Sequence, residues 1–160
     1  MKVSAQEEYG LRCLLQMARN GTEDSLSIPD ISRAEGLSIP NVAKLMRILR
    51  LGGLVKSIRG QAGGYNLARS ADQITMDEVL RVLGGPLYGP HFCDRHTGIE
   101  DTCSHRGDCA VRPVWSKMQE LMSAVLTRTT LQDLLKSESE MQSWLASVNG
   151  KATLSRASAG

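Results

Sequence analysis

Ser38-Ile-Pro-Asn-Val-Ala-Lys-Leu-Met-Arg-Ile-Leu-Arg-Leu-Gly-Gly-Leu-Val-Lys-Ser-Ile-Arg-Gly-Gln-Ala-Gly-Gly-Tyr-Asn-Leu67 is the stretch that decides the fold. Val42, Leu45, Met46 and Leu49 recur at helical spacing and mark one inward stripe, with Asn41, Lys44, Arg47 and Arg50 largely on the other side. Ser38 stands at the cap position and Pro40 in the first turn, where a missing N–H costs nothing. Gly52-Gly53 ends the helix near Leu51. Leu54-Val-Lys-Ser-Ile58 is short, alternating and β-branched, so it reads as a strand; Tyr65-Asn-Leu67 returns as its partner. The turn between them, Arg59 to Gly64, is glycine-rich, which permits positive φ and close backbone approach. A helix followed directly by such a hairpin predicts a reading helix beside a wing.

The residues upstream complete the motif. Ser27-Ile-Pro29-Asp30 starts a short helix that Gly36 stops, and Leu37-Ser38 turns the chain into the next one. Two short helices joined by a Gly-containing turn make a helix-turn-helix, whose second helix enters the major groove of DNA. Before it, Ser4-Ala-Gln-Glu7 is a capping box, opening a helix to about Arg19. Tyr9, Cys13, Leu14, Met17 and Ala18 mark its buried side, and Cys13 is read there as a small packing residue.

Charge supports a polyanionic partner. The net charge of the 160 residues is only +2, but no acidic residue lies between Glu35 and Asp72. Lys44, Arg47, Arg50, Lys56, Arg59 and Arg69 all fall in that interval. A segment of one sign is an electrostatic footprint for nucleic acid. Base contacts are expected from Ser38, Asn41, Lys44 and Arg47. Asn suits adenine, and Lys and Arg suit guanine. Arg59 and Gln61 on the wing are expected on phosphate or in the minor groove.

Downstream, Thr75-Met-Asp-Glu78 is a second capping box, opening a helix through about Leu83 that Gly84-Gly-Pro86 breaks. Three of the four cysteines follow in one polar loop: Cys93, Cys103 and Cys109. Thiolates are soft ligands that select zinc, Cu(I) or iron–sulfur clusters, so the loop is a candidate metal centre. Three cysteines plus one of His91, His96 and His105 would make a zinc set, although gaps of nine and five residues are looser than paired zinc spacings. A metal-free thiol switch stays open beside it. From about Val111 a long helix begins, with Val111, Val114, Trp115, Met118, Leu121, Met122, Val125 and Leu126 at 3–4 spacing. That stripe is longer than a winged domain can bury, so it is a candidate dimerisation helix. Thr129 to Asp133 reads as the start of a shorter helix, Met141 to Val148 as a further helical segment, and 149–160 as a tail without fixed structure.

The expected fold class is therefore mainly α with a small β-hairpin wing: a winged helix-turn-helix domain (1–85), a cysteine loop (86–110), and a long dimerisation helix with C-terminal helices (111–148). An enzyme is not expected. There are no paired catalytic carboxylates and no nucleophile motif, and Gly60 to Gly64 lies between two strands rather than before a helix, as a phosphate cradle requires. With no signal-peptide core and no bilayer-length apolar run, the expected location is cytoplasmic, where clustered cysteines favour metal or redox chemistry over disulfides.

Residues 1 to 140 in this order resemble the Rrf-two type of bacterial winged-helix transcription regulators, which includes IscR-like and NsrR-like members. The most specific pieces are Gly52-Gly-Leu-Val-Lys-Ser-Ile-Arg-Gly-Gln-Ala-Gly-Gly-Tyr65 and Cys109-Ala-Val-Arg-Pro-Val-Trp115. The resemblance implies a homodimeric regulator, most simply a repressor, on a palindromic or imperfectly palindromic operator. It also implies an iron–sulfur cluster on three cysteines and a fourth, non-cysteine ligand, sensing redox state, nitric oxide or iron status. Carried over, the three are Cys93, Cys103 and Cys109. The family commonly spaces successive cysteines by five residues, so the nine between Cys93 and Cys103 depart from its pattern. In IscR-like members a histidine three residues after the last cysteine is the fourth ligand; here that position is Arg112, which cannot coordinate. In NsrR-like members it is an N-terminal carboxylate from the partner subunit, which matches Glu8, with His91, His96 and His105 as rival candidates for that place. That likeness favours 4Fe–4S over 2Fe–2S. The alternative is a metal-free or zinc-binding regulator governed by thiol oxidation or a partner protein.

Overall fold

The computed structural model describes residues 2–21, 25–60, 63–97, 99 and 102–154, with backbone alone for 148–154. Its elements are α1 (Ala5–Asn20), α2 (Ile28–Glu35), α3 (Ile39–Leu51), β1 (Val55–Ile58), β2 (Gly64–Leu67), α4 (Met76–Leu83), α5 (Val111–Leu126) and α6 (Glu138–Leu154). Short 3-10 turns lie at Ala71–Gln73, Cys93–Arg95 and Asp133–Leu135.

Both expected capping boxes are present. The Ser4 hydroxyl accepts from Glu7 N–H, and the Glu7 carboxylate accepts from Ser4 N–H at 2.7 Å. Thr75 and Glu78 repeat the exchange at the start of α4. Ser27 caps α2, and Gly36 closes it in the left-handed region (φ 65°), where a side chain would be strained. Ser38 differs from expectation. It occupies the cap position of α3, but its side chain makes no cap hydrogen bond.

The helix-turn-helix is formed by α2 and α3, with α1 across them. Val42, Leu45, Met46 and Leu49 of α3 join Cys13, Leu14 and Met17 of α1, Ile31 of α2 and Val79 and Leu83 of α4 in one core. Each such aliphatic side chain contributes about 1.5–3 kcal/mol by leaving water. The wing is an antiparallel pair with Val55 opposite Leu67 and Ile58 opposite Gly64. Leu26 adds a single bridge to Tyr65, fastening the wing to the chain that leads into α2. Helix α4 sits close against two neighbours. A Cβ on Gly10 of α1 would come within 2.5 Å of Leu83, and one on Gly52 after α3 within 2.4 Å of Val82. Two missing side chains thus set how near α4 approaches the DNA-reading unit.

The C-terminal half departs from expectation at Thr129. No α-helix starts there, although Thr130 and Asp133 exchange capping hydrogen bonds ahead of a short 3-10 turn. Instead Thr130 bridges Thr75, Met76 N–H donates to Thr129 O, and Leu131 N–H donates to Ile74 O. Leu131 is fully buried in the winged core. Two β-branched residues and a Leu prefer that extended, half-buried edge, and only Asp133–Leu135 makes a turn of 3-10 helix. Helix α6 begins earlier than expected, because Ser137 and Glu140 exchange backbone and side-chain hydrogen bonds as a further capping pair. It runs on to Leu154, past the expected boundary at 148.

Candidate nucleic-acid interface and cysteine cavity

Helix α3 and the wing both expose basic side chains. Ser38, Lys44 and Arg47 are exposed, and Asn41 is half-buried, all spaced along one side of the helix. Arg59 is exposed at the end of β1, where Lys56, Ser57 and Ile58 also face outward. Gln61 lies outside the described residues. Among the described residues, Arg12, Arg33, Arg69, Arg81, Lys117 and Lys136 each have a carboxylate partner. None of those carboxylates engages Lys44, Arg47, Arg50, Lys56 or Arg59. The absence of acid between Glu35 and Asp72 leaves these side chains available to an anion. Arg69, counted with them by sequence position, is instead held by Glu78 at 3.0 Å. The Glu78 carboxyl sits below its ordinary range, chiefly because Thr75 N–H donates to it, with Arg69 adding to the effect.

Sequence reading did not single out Ile39. This first residue of α3 is 52% exposed beside Ser38 and Asn41. At the start of α3 the Ser38 side chain makes no cap bond and Ile39 is uncovered.

The cysteine loop closes on itself. Cys93, Cys103 and Cys109 line one cavity of about 200 Å³, together with His96 and His105. Tyr88, Phe92, Val111 and Trp115 supply its apolar walls, and Arg112 stands at its edge. Tyr88 and Phe92 are tilted against each other at 5.1 Å, and the His96 ring stacks on Phe92 at 4.3 Å. His96 Nδ1 lies 2.7 Å from Phe92 O, so that nitrogen donates to its own loop. His91 is on the outside, 3.3 Å from Asp94. All four cysteines are free thiols. Among the described residues no three His, Cys, Asp or Glu side chains are arranged to hold a metal ion. Three thiols on one cavity are the soft donor type that an iron–sulfur cluster takes. Glu8 is exposed on α1 and does not line the cavity of its own chain.

Cys13 is in the opposite situation. It is fully buried, and burial with the nearby Glu35 charge raises its thiol from 9.0 to about 11. A thiol held protonated in a core packs and does not ligate, as its place on the α1 stripe implied.

A family model for Rrf2, described as an iron-dependent transcriptional regulator, matches residues 3–137. This chain belongs to the Rrf2 family. Protein rrf2 of Nitratidesulfovibrio vulgaris is 34% identical over 139 residues, covering 87% of this chain and 90% of the relative. The HTH-type transcriptional regulator CymR of Bacillus subtilis is 35% identical over 134 residues, covering 84% and 89%. Among solved structures, CymR, titled the global cysteine regulator of B. subtilis, superposes with a TM-score of 0.65 at 34% identity, over 84% of this chain and 95% of that one. T. potens IscR gives 0.66 at 32% identity, over 84% and 86%. The Rrf2 chain is thus a winged helix-turn-helix regulator of transcription, and the relatives it matches are regulators rather than enzymes. No described helix is long and apolar enough to cross a membrane.

Proposed function

We propose that this Rrf2 regulator is a cytoplasmic homodimer that represses transcription from a palindromic or imperfectly palindromic operator. An iron–sulfur cluster on Cys93, Cys103 and Cys109 makes its DNA affinity answer to redox state, nitric oxide or iron status. The convergence of the three thiols on one cavity, immediately ahead of α5, carries this reading. The family description as iron-dependent agrees with it. Glu8 of a second copy is the proposed fourth ligand. A hard carboxylate on a soft-ligand site is readily displaced, which suits a sensor. The bound cluster supplies iron that changes oxidation state or takes up a small molecule. The chain's own part is to hold it behind aromatic walls. The likeness to NsrR-like members favours 4Fe–4S over 2Fe–2S.

The proposed base-reading residues are Ser38, Asn41, Lys44 and Arg47, with Arg59 and Gln61 on phosphate or in the minor groove. The proposed dimer contact is the uncovered side of α5. Val111, Val114, Met118 and Leu121 are exposed there, and no residue of α5 is fully buried. An apolar stripe of this length on a charged protein marks an interaction surface.

Anaerobic purification followed by visible absorption, iron and acid-labile sulfide assays tests the sensor. A brown protein bleached by nitric oxide or air supports it. A colourless protein after careful anaerobic handling removes it. The second reading is a regulator governed by thiol oxidation, by zinc or by a partner protein. Its support is the likeness to CymR, including a Staphylococcus aureus CymR solved in an oxidized form at 27% identity and a TM-score of 0.63. It predicts a colourless protein whose operator affinity changes with thiol oxidation, bound zinc or an added polypeptide.

A further inference from the structure

An unbroken chain of hydrogen bonds runs from the cysteine cavity to α4. Tyr88, whose ring lines the cavity, donates its backbone N–H to Gln119 Oε1 at 3.1 Å. Gln119 Nε2 donates to Ser123 Oγ at 3.0 Å, and Ser123 donates to Asp77 Oδ1 at 3.1 Å. Asp77 Oδ2 accepts from Arg81 Nε at 2.6 Å. The chain is directional. Turning the Gln119 amide over would set its NH2 against Tyr88 N–H, so both ends fix the amide one way round. Ser123 has one hydroxyl proton, and Asp77 takes it. Asp77 is a charged residue only 9% exposed, on the face of α4 turned towards α5. A buried carboxylate left without partners costs far more than an exposed one, so the order of the chain is enforced at its inner end.

What lies beyond α4 gives the chain its meaning. Leu83 and Val82 meet Gly10 and Gly52 with no room for a methyl group, so a shift of α4 reaches α1 and the end of α3 directly. Gln119 and Ser123 sit one helical turn apart on α5, between the loop and the winged domain.

We propose that Gln119, Ser123 and Asp77 are positioning residues that transmit the state of the cysteine cavity to the DNA-reading helices. When the cavity wall moves, Tyr88 changes its hold on Gln119, the amide and hydroxyl reorient, and α4 follows through Asp77. This rests on the sensor reading above, and the test separates the two.

The probe is a duplex enriched from a random-sequence pool by the anaerobic wild-type protein. Its affinity is measured for the cluster-loaded and the stripped full chain, in the wild type, Ser123→Ala, Gln119→Leu and the neighbouring control Glu120→Gln. In the wild type and control the two states differ by at least about fivefold; in both relay variants the difference falls below about twofold, with visible absorption unchanged. Amide hydrogen exchange gives an independent readout. On stripping, the wild type changes protection in 76–83 as well as 86–110, whereas the variants change only 86–110. A purely structural staple would alter affinity or stability in both states alike and leave their ratio intact. A relay variant that keeps the wild-type ratio overturns the proposal. So does one that loses the visible absorption, since its role would then be holding the cluster. A wild type with equal affinity in both states overturns the sensor reading and this inference together. A wild-type difference with unaffected variants removes the relay alone.

Discussion

In the winged domain Leu14, Ile31, Val42, Leu49 and Val79 are all fully buried, whereas α5 leaves Val111, Val114, Met118 and Leu121 in the open and buries no residue completely. The cysteines divide the same way: Cys13 lies at zero exposure, and Cys93, Cys103 and Cys109 are partly exposed around a cavity. One half of the chain satisfies itself. The other, among the described residues, leaves apolar surface exposed and its soft ligands only partly covered. In the reading proposed above, the second half is the part finished by something added, a second copy and a bound group.

The largest expected effect is in the core. Leu45→Ala should lower unfolding free energy by about 2–5 kcal/mol, whereas Leu121→Ala, at a side chain 58% exposed, should change the stability of the isolated chain by no more than about 0.5 kcal/mol. Urea titrations at a concentration where the chain is monomeric compare them, and equal losses would erase the distinction between the halves. Next is Leu121→Glu, which puts a charge on the proposed dimer surface. It should raise the dimer dissociation constant at least about tenfold, since burying an unpaired carboxylate costs more than the matching 1.4 kcal/mol. Sedimentation equilibrium reads this directly, and an unchanged association state would remove α5 from the interface.

Thiol chemistry sharpens the contrast further. In native, metal-free protein at pH 8, a haloacetamide should modify Cys93, Cys103 and Cys109 and spare Cys13, with Cys13 reacting only after denaturation. Mass spectrometry of the peptides decides it. The raised Cys13 thiol also fixes a sign. Its folded value, about 11, exceeds the reference 9.0, so the neutral form is favoured by folding. That contribution is complete below pH 9 and is lost as pH rises towards 11. The urea midpoint should fall over this window in the wild type and remain flatter in Cys13→Ala. The smallest effect expected is at the wing: Arg59→Ala should reduce the salt slope of DNA binding by about one unit if it neutralises one phosphate.

The winged half was legible because its signals are local. The Ser-x-x-Glu and Thr-x-x-Glu boxes, the 3–4 stripes of α1 and α3 and the glycine-rich turn each declare themselves within a few residues. Where the pattern was applied unevenly, reading failed. Ser137 to Glu140 is the same box and starts α6, yet the helix was expected only from Met141. Thr129 to Asp133 reads as a helix start, whereas Thr129 to Leu131 pairs with Ile74 to Met76 more than fifty residues away, and non-local pairing leaves no periodic mark. At the site, the three cysteines were legible from residue type and spacing. Their place on one cavity was not, because the cavity is set by aromatic contacts within the loop. Nothing local distinguishes Asp77 within the Thr75 to Glu78 box. Its value lies in facing Ser123, forty-six positions on.

The tie between Thr129 to Leu131 and the start of α4 has a mechanical consequence. Helix α5 spans 16 residues, about 24 Å of rise. Its C-terminal end is clamped by Leu131 in the core, and Ser123 pins it to Asp77 close by. Its other end hangs from the cysteine loop. Such a rod pivots near its clamped end, and a tilt of about 5° there displaces the loop end by about 2 Å. Run backwards, the same ratio means that a coarse displacement at the thiols arrives beside α4 as a small, geared-down rotation, of the size a closely packed helix can follow without leaving its seat.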